Sequence, residues 1–364
     1  AALGDFLPSV STGASATRRI AGRAEGDPDF AYSLGWNANL TLFQGFQRIA
    51  NRRAAAADVD AAEAGFRDER FQVMLATKQL FYATAASDDL VRVATAQLER
   101  AGEQLRAAVE NLQAGAATIS DSLRATVEVG NARIALLRAR AANASAQAAL
   151  GRQIGVGGPV VAVPDSALPA LPHEAFIRDE AQSESPAIVQ SEAEARAADA
   201  LVAAARSRYW PSLGMSYGDD YFGTESPFTG LDDYAHSSSL NFSLSWPIFD
   251  GFAREAAQVS AATRRDVADA VARDARLRVS AELTRQLALL GAAYEQIEIA
   301  RINVLAAAED FRVQNERYRL GVATSLDLTS SQASLTQAEV ALIQARFDYL
   351  LARAEIEALV GREL

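Results

Sequence analysis

Cysteine is absent from all 364 residues, which excludes a disulfide framework, a thiolate metal site and a cysteine nucleophile. Long apolar runs are absent too, and without about 18 consecutive apolar residues no helix can span a bilayer. A β-barrel span is not excluded, because alternating strands average out in hydropathy. Positive charge is outweighed: 35 Lys and Arg face 46 Asp and Glu, for a net charge of -11 and a pI near 4.9. That is the wrong sign for a nucleic-acid binder. Histidine is confined to His173 and His236, far apart and assigned to no chemistry, and Lys78 is the only lysine. With 22 Gly and 10 Pro the chain is too poor in both for low-complexity disorder. Ala1-Ala2-Leu3-Gly4-Asp5 lacks the basic flank and apolar core of a signal peptide. No HExxH, GxSxG, Walker or GxGxxG spacing occurs, so no enzyme, cofactor or metal site is expected.

Length alone suggests two or three globular domains, but an internal repeat replaces that reading. Phe43-Gln44-Gly45-Phe46 recurs as Phe249-Asp250-Gly251-Phe252, 206 positions later. The same offset aligns Gly115 with Gly321, Thr118 with Thr324, Asp121 with Asp327, and Gly155 with Gly361. Leu7-Pro8-Ser9 and Trp210-Pro211-Ser212 match at a slightly shorter offset, so one loop differs in length. The expected organisation is a first repeat over 1–155, a connector over 156–185 and a second repeat over 186–364. The second repeat has a helical lead-in that the first lacks.

Within each repeat the apolar period switches. Tyr32, Leu34, Trp36, Ala38, Leu40 and Leu42 alternate with Ser, Gly, Asn and Thr, and so do Leu240, Phe242, Leu244, Trp246 and Ile248. A period of two predicts strands, so hairpins are expected over 7–43 and 210–250. Beyond the Gly-Phe step the period becomes helical. Val91, Ala94, Leu98, Ala101, Leu105, Ala108 and Leu112 form an a/d seam, repeated as Ile297, Ala300, Val304, Ala307, Phe311, Gln314 and Tyr318. Long helices are predicted over 47–113 and 252–319, each roughly 100 Å at 1.5 Å per residue. Return helices follow over 119–150 and 325–360, seamed by Leu123, Val127, Gly130, Ile134 and Leu137 and by Ala333, Thr336, Val340, Ile343 and Phe347. A further helix is expected over 186–209.

Four strands, apolar on one face and polar on the other, are too few for a sandwich. A transmembrane barrel would place the apolar face in lipid, but four strands leave edges that lipid does not tolerate. Closure then needs several chains, and a trimer supplies twelve strands. The alternative is a soluble coiled-coil scaffold capped by hairpins.

The run Leu240 to Phe252 (LNFSLSWPIFDGF), leading into an Ala/Arg/Glu-rich helix, resembles the TolC-like outer membrane efflux protein family. Tyr318-Arg319-Leu320-Gly321-Val322, with Asp327 six residues after the Gly, is similar to that family's helical-tip pattern. The resemblance covers both halves. It implies a mainly α fold with a β-barrel part: a homotrimeric duct whose twelve-stranded barrel crosses the Gram-negative outer membrane and continues as a twelve-helix periplasmic α-barrel. Such a duct is passive, and its tip is opened by a periplasmic adaptor and an inner-membrane transporter. The cargo class (drug, metal or protein) is left open.

The resemblance maps adaptor contacts onto Ala114, Gly115 and Ala116 and onto Leu320, Gly321 and Val322. Gly115 and Gly321 also fit ordinary helix C-termini. It maps the periplasmic aperture onto Asp327 and Asp121, which equally fit capping boxes with Thr324 and Thr118. Two family features are missing, since Ser330 stands where a second aperture acid is expected and Ala323 where some members carry a tip arginine. Tyr32, Leu34, Trp36, Leu40, Leu240, Phe242, Leu244 and Trp246 are read as lipid-facing or interfacial. Asp219-Asp220 and Asp232-Asp233 are expected in an outer loop as solvated charge.

Overall fold

The computed structural model describes residues 4–18, 20, 30–115, 117–164, 167–227 and 234–364. Backbone contacts divide the chain into two compact units, residues 1–63 with 189–275 and residues 64–188 with 276–364. Each unit therefore draws on both repeats.

The first unit holds one four-stranded antiparallel sheet in the order β1-β2-β3-β4. The strands are β1 (Ser9–Arg18), β2 (Phe30–Gln44), β3 (Ser212–Gly223) and β4 (Ala235–Ser245). The two predicted hairpins join through a β2–β3 ladder, so the repeats share one sheet. Its register sets the faces, because side chains alternate along a strand. Val10, Ala38, Tyr217 and Leu240 line up across one face; Leu40, Met215 and Phe242 form the next row. Ser11, Asn37 and Gly218 stand on the other.

Two details depart from simple alternation. A bulge between Thr41 and Phe43 pairs Phe43 with Leu213, so Phe43 rather than Leu42 joins the apolar rows. Trp246 lies one residue past β4, where Pro247 cannot donate to a ladder, and its indole Nε1 donates to the Tyr209 carbonyl at 3.2 Å.

The repeated Phe-x-Gly-Phe motif is the strand-to-helix turn. Gly45 and Phe46 both take left-handed backbone, at φ 54° and 65°, as do Gly251 and Phe252 at 69° each. Phenylalanine rarely adopts that region. Here each second ring is held edge-on against the first, with centroids 5.3 Å apart for Phe43–Phe46 and 5.6 Å for Phe249–Phe252. The turns launch α1 (Gln47–Gln113) and α5 (Ala253–Arg319), each 67 residues long. The lead-in helix is α4 (Pro186–Arg206), followed by a 3-10 turn at Ser207–Tyr209.

The second unit is helical. It contains α2 (Ile119–Gln153), α3 (Glu174–Glu184) and α6 (Ser325–Val360) with the adjoining lengths of α1 and α5. The connector thus contains a helix, α3, which carries Ile177 and Ala181 into the main core. That core joins Leu283, Leu290 and Ile297 of α5 to Ala345, Tyr349 and Ile356 of α6. Tyr349, fully buried, donates from its hydroxyl to the Pro169 carbonyl at 2.7 Å, pinning the connector to α6.

The return-helix seams differ from expectation. On α2 the buried residues are Ala125, Ala132 and Leu136, whereas Leu123, Val127 and Leu137 remain 62%, 60% and 58% exposed. Helix α6 buries Leu328, Leu335, Ala345 and Tyr349, with Ala333 exposed. On α2 alanines make up much of the buried side, and the apolar seam of Leu123, Val127 and Leu137 stays exposed among the described residues.

Candidate functional site

The two helical tips fold alike. After α1, Ala114 and Gly115 turn the chain, their amides donating hydrogen bonds to the Glu110 and Leu112 carbonyls at 3.0 and 3.1 Å. After α5, Leu320 and Gly321 do the same toward Glu316 and Tyr318 at 3.1 Å each, and the Val322 amide reaches the Arg317 carbonyl at 2.9 Å. Gly115 and Gly321 both sit at φ 74°, the left-handed helix stop that glycine accepts without strain. Leu320 and Val322 project from this turn, 76% and 62% exposed. Ala116 lies outside the described residues.

Each tip closes with a complete capping box. Thr118 Oγ1 accepts from the Asp121 amide at 3.3 Å, while Asp121 Oδ2 accepts from the Thr118 amide at 3.0 Å and hydroxyl at 2.7 Å. Thr324 and Asp327 repeat this at 3.2, 3.0 and 2.7 Å. The hydrogen bonds from Thr324, side chain first, hold the Asp327 carboxyl below its ordinary pKa, and those from Thr118 do the same for Asp121.

The two acids then part ways. Asp327 is exposed. Asp121 has a second partner: its Oδ1 accepts from Ser325 Oγ at 3.0 Å, and Arg124 Nη1 donates to that same hydroxyl at 3.3 Å. Ser325 is 6% exposed and is the first residue of α6, so the two tips are tied side by side. Tyr318 is buried next to them, and burial, with the Asp121 charge second, pushes its hydroxyl pKa up.

Further up the second unit, Arg100 on α1 clasps Glu339 on α6 through bonds of 3.3 and 3.0 Å, and its guanidinium lies 5.9 Å from the Phe311 ring on α5. Gln104 donates to Thr329 at 3.1 Å, Ser331 bonds Asp310, and Lys78 pairs with Glu357. The sequence reading missed these ties. Their one visible signal was polar side chains at positions flanking an apolar seam.

The sheet face carries the remaining expected residues. Tyr32, Leu34, Trp36 and Leu40 share one face with Leu240, Phe242 and Leu244, and the three from β4 are 58%, 58% and 73% exposed. Asp219 and Asp220 are not in a loop. They lie within β3 on opposite faces, and Asp219 pairs with His236, whose ring stacks on Tyr221 at 4.6 Å. Asp232 and Asp233 fall outside the described residues. No helix among the described residues is long and apolar enough to cross a membrane, and no group of three His, Cys, Asp or Glu among them is placed to hold a metal ion.

This combination of one sheet, two capped tips and two 67-residue helices matches a known family along nearly the whole chain. The model for outer membrane efflux proteins covers residues 1–156 and 177–362. The chain belongs to the outer membrane efflux protein family. It is 29% identical over 341 residues to protein CyaE of Bordetella pertussis, covering 90% of this chain and 70% of that one. It is 26% identical to the outer membrane efflux protein BepC of Brucella suis, covering 91% and 72%. The fold is shared with the outer membrane protein VceC of Vibrio cholerae at a TM-score of 0.85 and 18% identity, covering 100% of this chain and 89% of that one. As an outer membrane efflux protein it is an exit duct of a tripartite efflux or secretion system, located in the Gram-negative outer membrane and projecting into the periplasm. Members of this family are channels, not enzymes. The soluble scaffold reading is thereby set aside.

Proposed function

We propose that three copies of this chain assemble into one passive duct, gated at the helical tips and opened by a periplasmic adaptor with an inner-membrane transporter. The observation that carries this is the sheet. Among the described residues its four strands have unpaired outer edges on β1 and β4, and its apolar face is exposed, which lipid accepts only when the edges are closed. Three sheets give twelve strands, with Tyr32, Leu34, Trp36, Leu40, Leu240, Phe242 and Leu244 outward and the Ser/Gly/Asn face lining the lumen. Trp246, at the strand-to-helix junction, suits the membrane interface.

The helices support the same stoichiometry. The uncovered seam of α2 and the exposed Ile299, Ile302 and Leu305 of α5 are apolar surfaces that a neighbouring copy would bury. At the tips, Ala114 to Ala116 and Leu320 to Val322 form the adaptor contact, Leu320 and Val322 offering the apolar surface. Asp327, exposed on its cap, faces the aperture, while Asp121 serves the tie to Ser325.

The test is reconstitution. Purified protein of three-chain mass should insert into planar bilayers with stepwise conductance, and a Gly321→Trp variant should keep conductance but lose binding to the adaptor. A single-chain species without conductance would reject the duct. Undiminished adaptor binding by Gly321→Trp would reject the docking assignment.

A further inference from the structure

The polar face of the sheet is neutral with one exception. Among the described strand residues it presents serine, glycine, asparagine, threonine, alanine, Gln44 and Phe222, and Asp220 is the one ionisable side chain there. The surrounding backbone leaves room for the carboxylate. Gly35 stands opposite Asp220 across the β2–β3 ladder, and a Cβ at Gly35 would come within 3.1 Å of the carboxyl carbon. A Cβ at Gly218 would lie 3.7 Å from Asp220 Oδ2. The side chain therefore lies over small residues of its own face and stays exposed. No Lys, Arg or His among the described residues pairs with it, whereas Asp219, on the apolar face, is matched by His236.

Asp220 is eight residues along β3 from Ser212, which follows the lead-in helix. At about 3.3 Å per residue and a strand tilt of about 40°, that places it about 20 Å up an apolar band about 25 Å tall. We propose that Asp220 is the charge-selecting residue of the outer half of the barrel. One carboxylate from each of three chains sets a negative ring on a lumen face otherwise uncharged among the described strand residues, drawing cationic cargo outward and retarding anions, because a low-dielectric wall focuses the field of the few charges it carries. The assignment rests on the trimeric barrel proposed above.

The test exploits the absence of cysteine, since Ser237→Cys then supplies a single thiol, on the residue paired with Asp220 across the β3–β4 ladder. The protein is reconstituted in uncharged phosphatidylcholine vesicles. Labelling rates are compared for a trimethylammonium and a sulfonate methanethiosulfonate, which differ in charge. One carboxylate about 6 Å away in water changes the cation-to-anion rate ratio about tenfold. The ratio should fall by that factor on adding Asp220→Asn, persist with Asp220→Glu or Asp219→Asn, and collapse in 1 M salt, where the Debye length is about 3 Å. If Asp220→Asn fails to assemble, Asp220→Ser, which matches its neighbours, makes the same comparison. A ratio indifferent to Asp220 overturns the proposal and leaves the barrel standing. A thiol inert to both reagents overturns the barrel reading, and the proposal falls with it.

Discussion

Ser325→Ala is the most direct probe of how the tips are held together. The hydroxyl donates to Asp121 at 3.0 Å and accepts from Arg124 at 3.3 Å, so its removal cuts both bonds between α2 and α6 while both capping boxes stay intact. A hydrogen bond to a charged group contributes about 1.5–3 kcal/mol when buried. Ser325 is buried but Asp121 is partly exposed, so about 1 kcal/mol per chain is the reasonable figure. On the tip-gating proposal, with this tie broken in all three chains of the open duct, the total is about 3 kcal/mol, which would shift the closed-to-open equilibrium by about a hundredfold. Planar-bilayer recording without adaptor reads this as open probability. Ser325→Ala should raise it by that order, and Ser325→Thr, which keeps the hydroxyl, should stay near the parent. An open probability for Ser325→Ala within about threefold of the parent would refute the idea that this tie holds the duct closed.

Acid should loosen the same tips. Asp121 and Asp327 have pKa values lowered from 3.8 by hydrogen bonds that exist only in the folded tips, so their stabilisation is complete above that ordinary value. It is lost as pH falls from there through the lowered folded values, and the protection of amides at the first turns of α2 and α6, measured against the intrinsic exchange rate at each pH, should fall below about pH 4. Unchanged protection down to pH 2 would contradict this. In the helical core, Ile356→Ala removes a fully buried side chain and should cost about 2–5 kcal/mol, read as a lower urea midpoint of the helical signal. Leu137→Asp acts on a side chain that is 58% exposed in the single chain. It should leave helicity intact and dissociate the trimer in detergent, and a stable trimer would rule out this seam as an interface.

The local elements were legible because their causes are local. The period-two runs marked β2 and β4, the a/d spacing marked α1 and α5, and Thr-x-x-Asp marked both capping boxes, which formed as the spacing requires. The Phe-x-Gly-Phe repeat announced a turn but not its left-handed pair of residues or its edge-on rings. Three features were settled only by tertiary structure, because each depends on residues distant in sequence. The β2–β3 ladder decided that the repeats share a sheet, and its register put Asp219 and Asp220 on opposite faces of a strand rather than in a loop. Packing among helices decided which side of α2 is buried: Ala125, Ala132 and Leu136 face inward, while Leu123, Val127 and Leu137 stay exposed. Ser325, unremarkable in the sequence, became the link between the tips because folding brings it beside Asp121, 204 residues away.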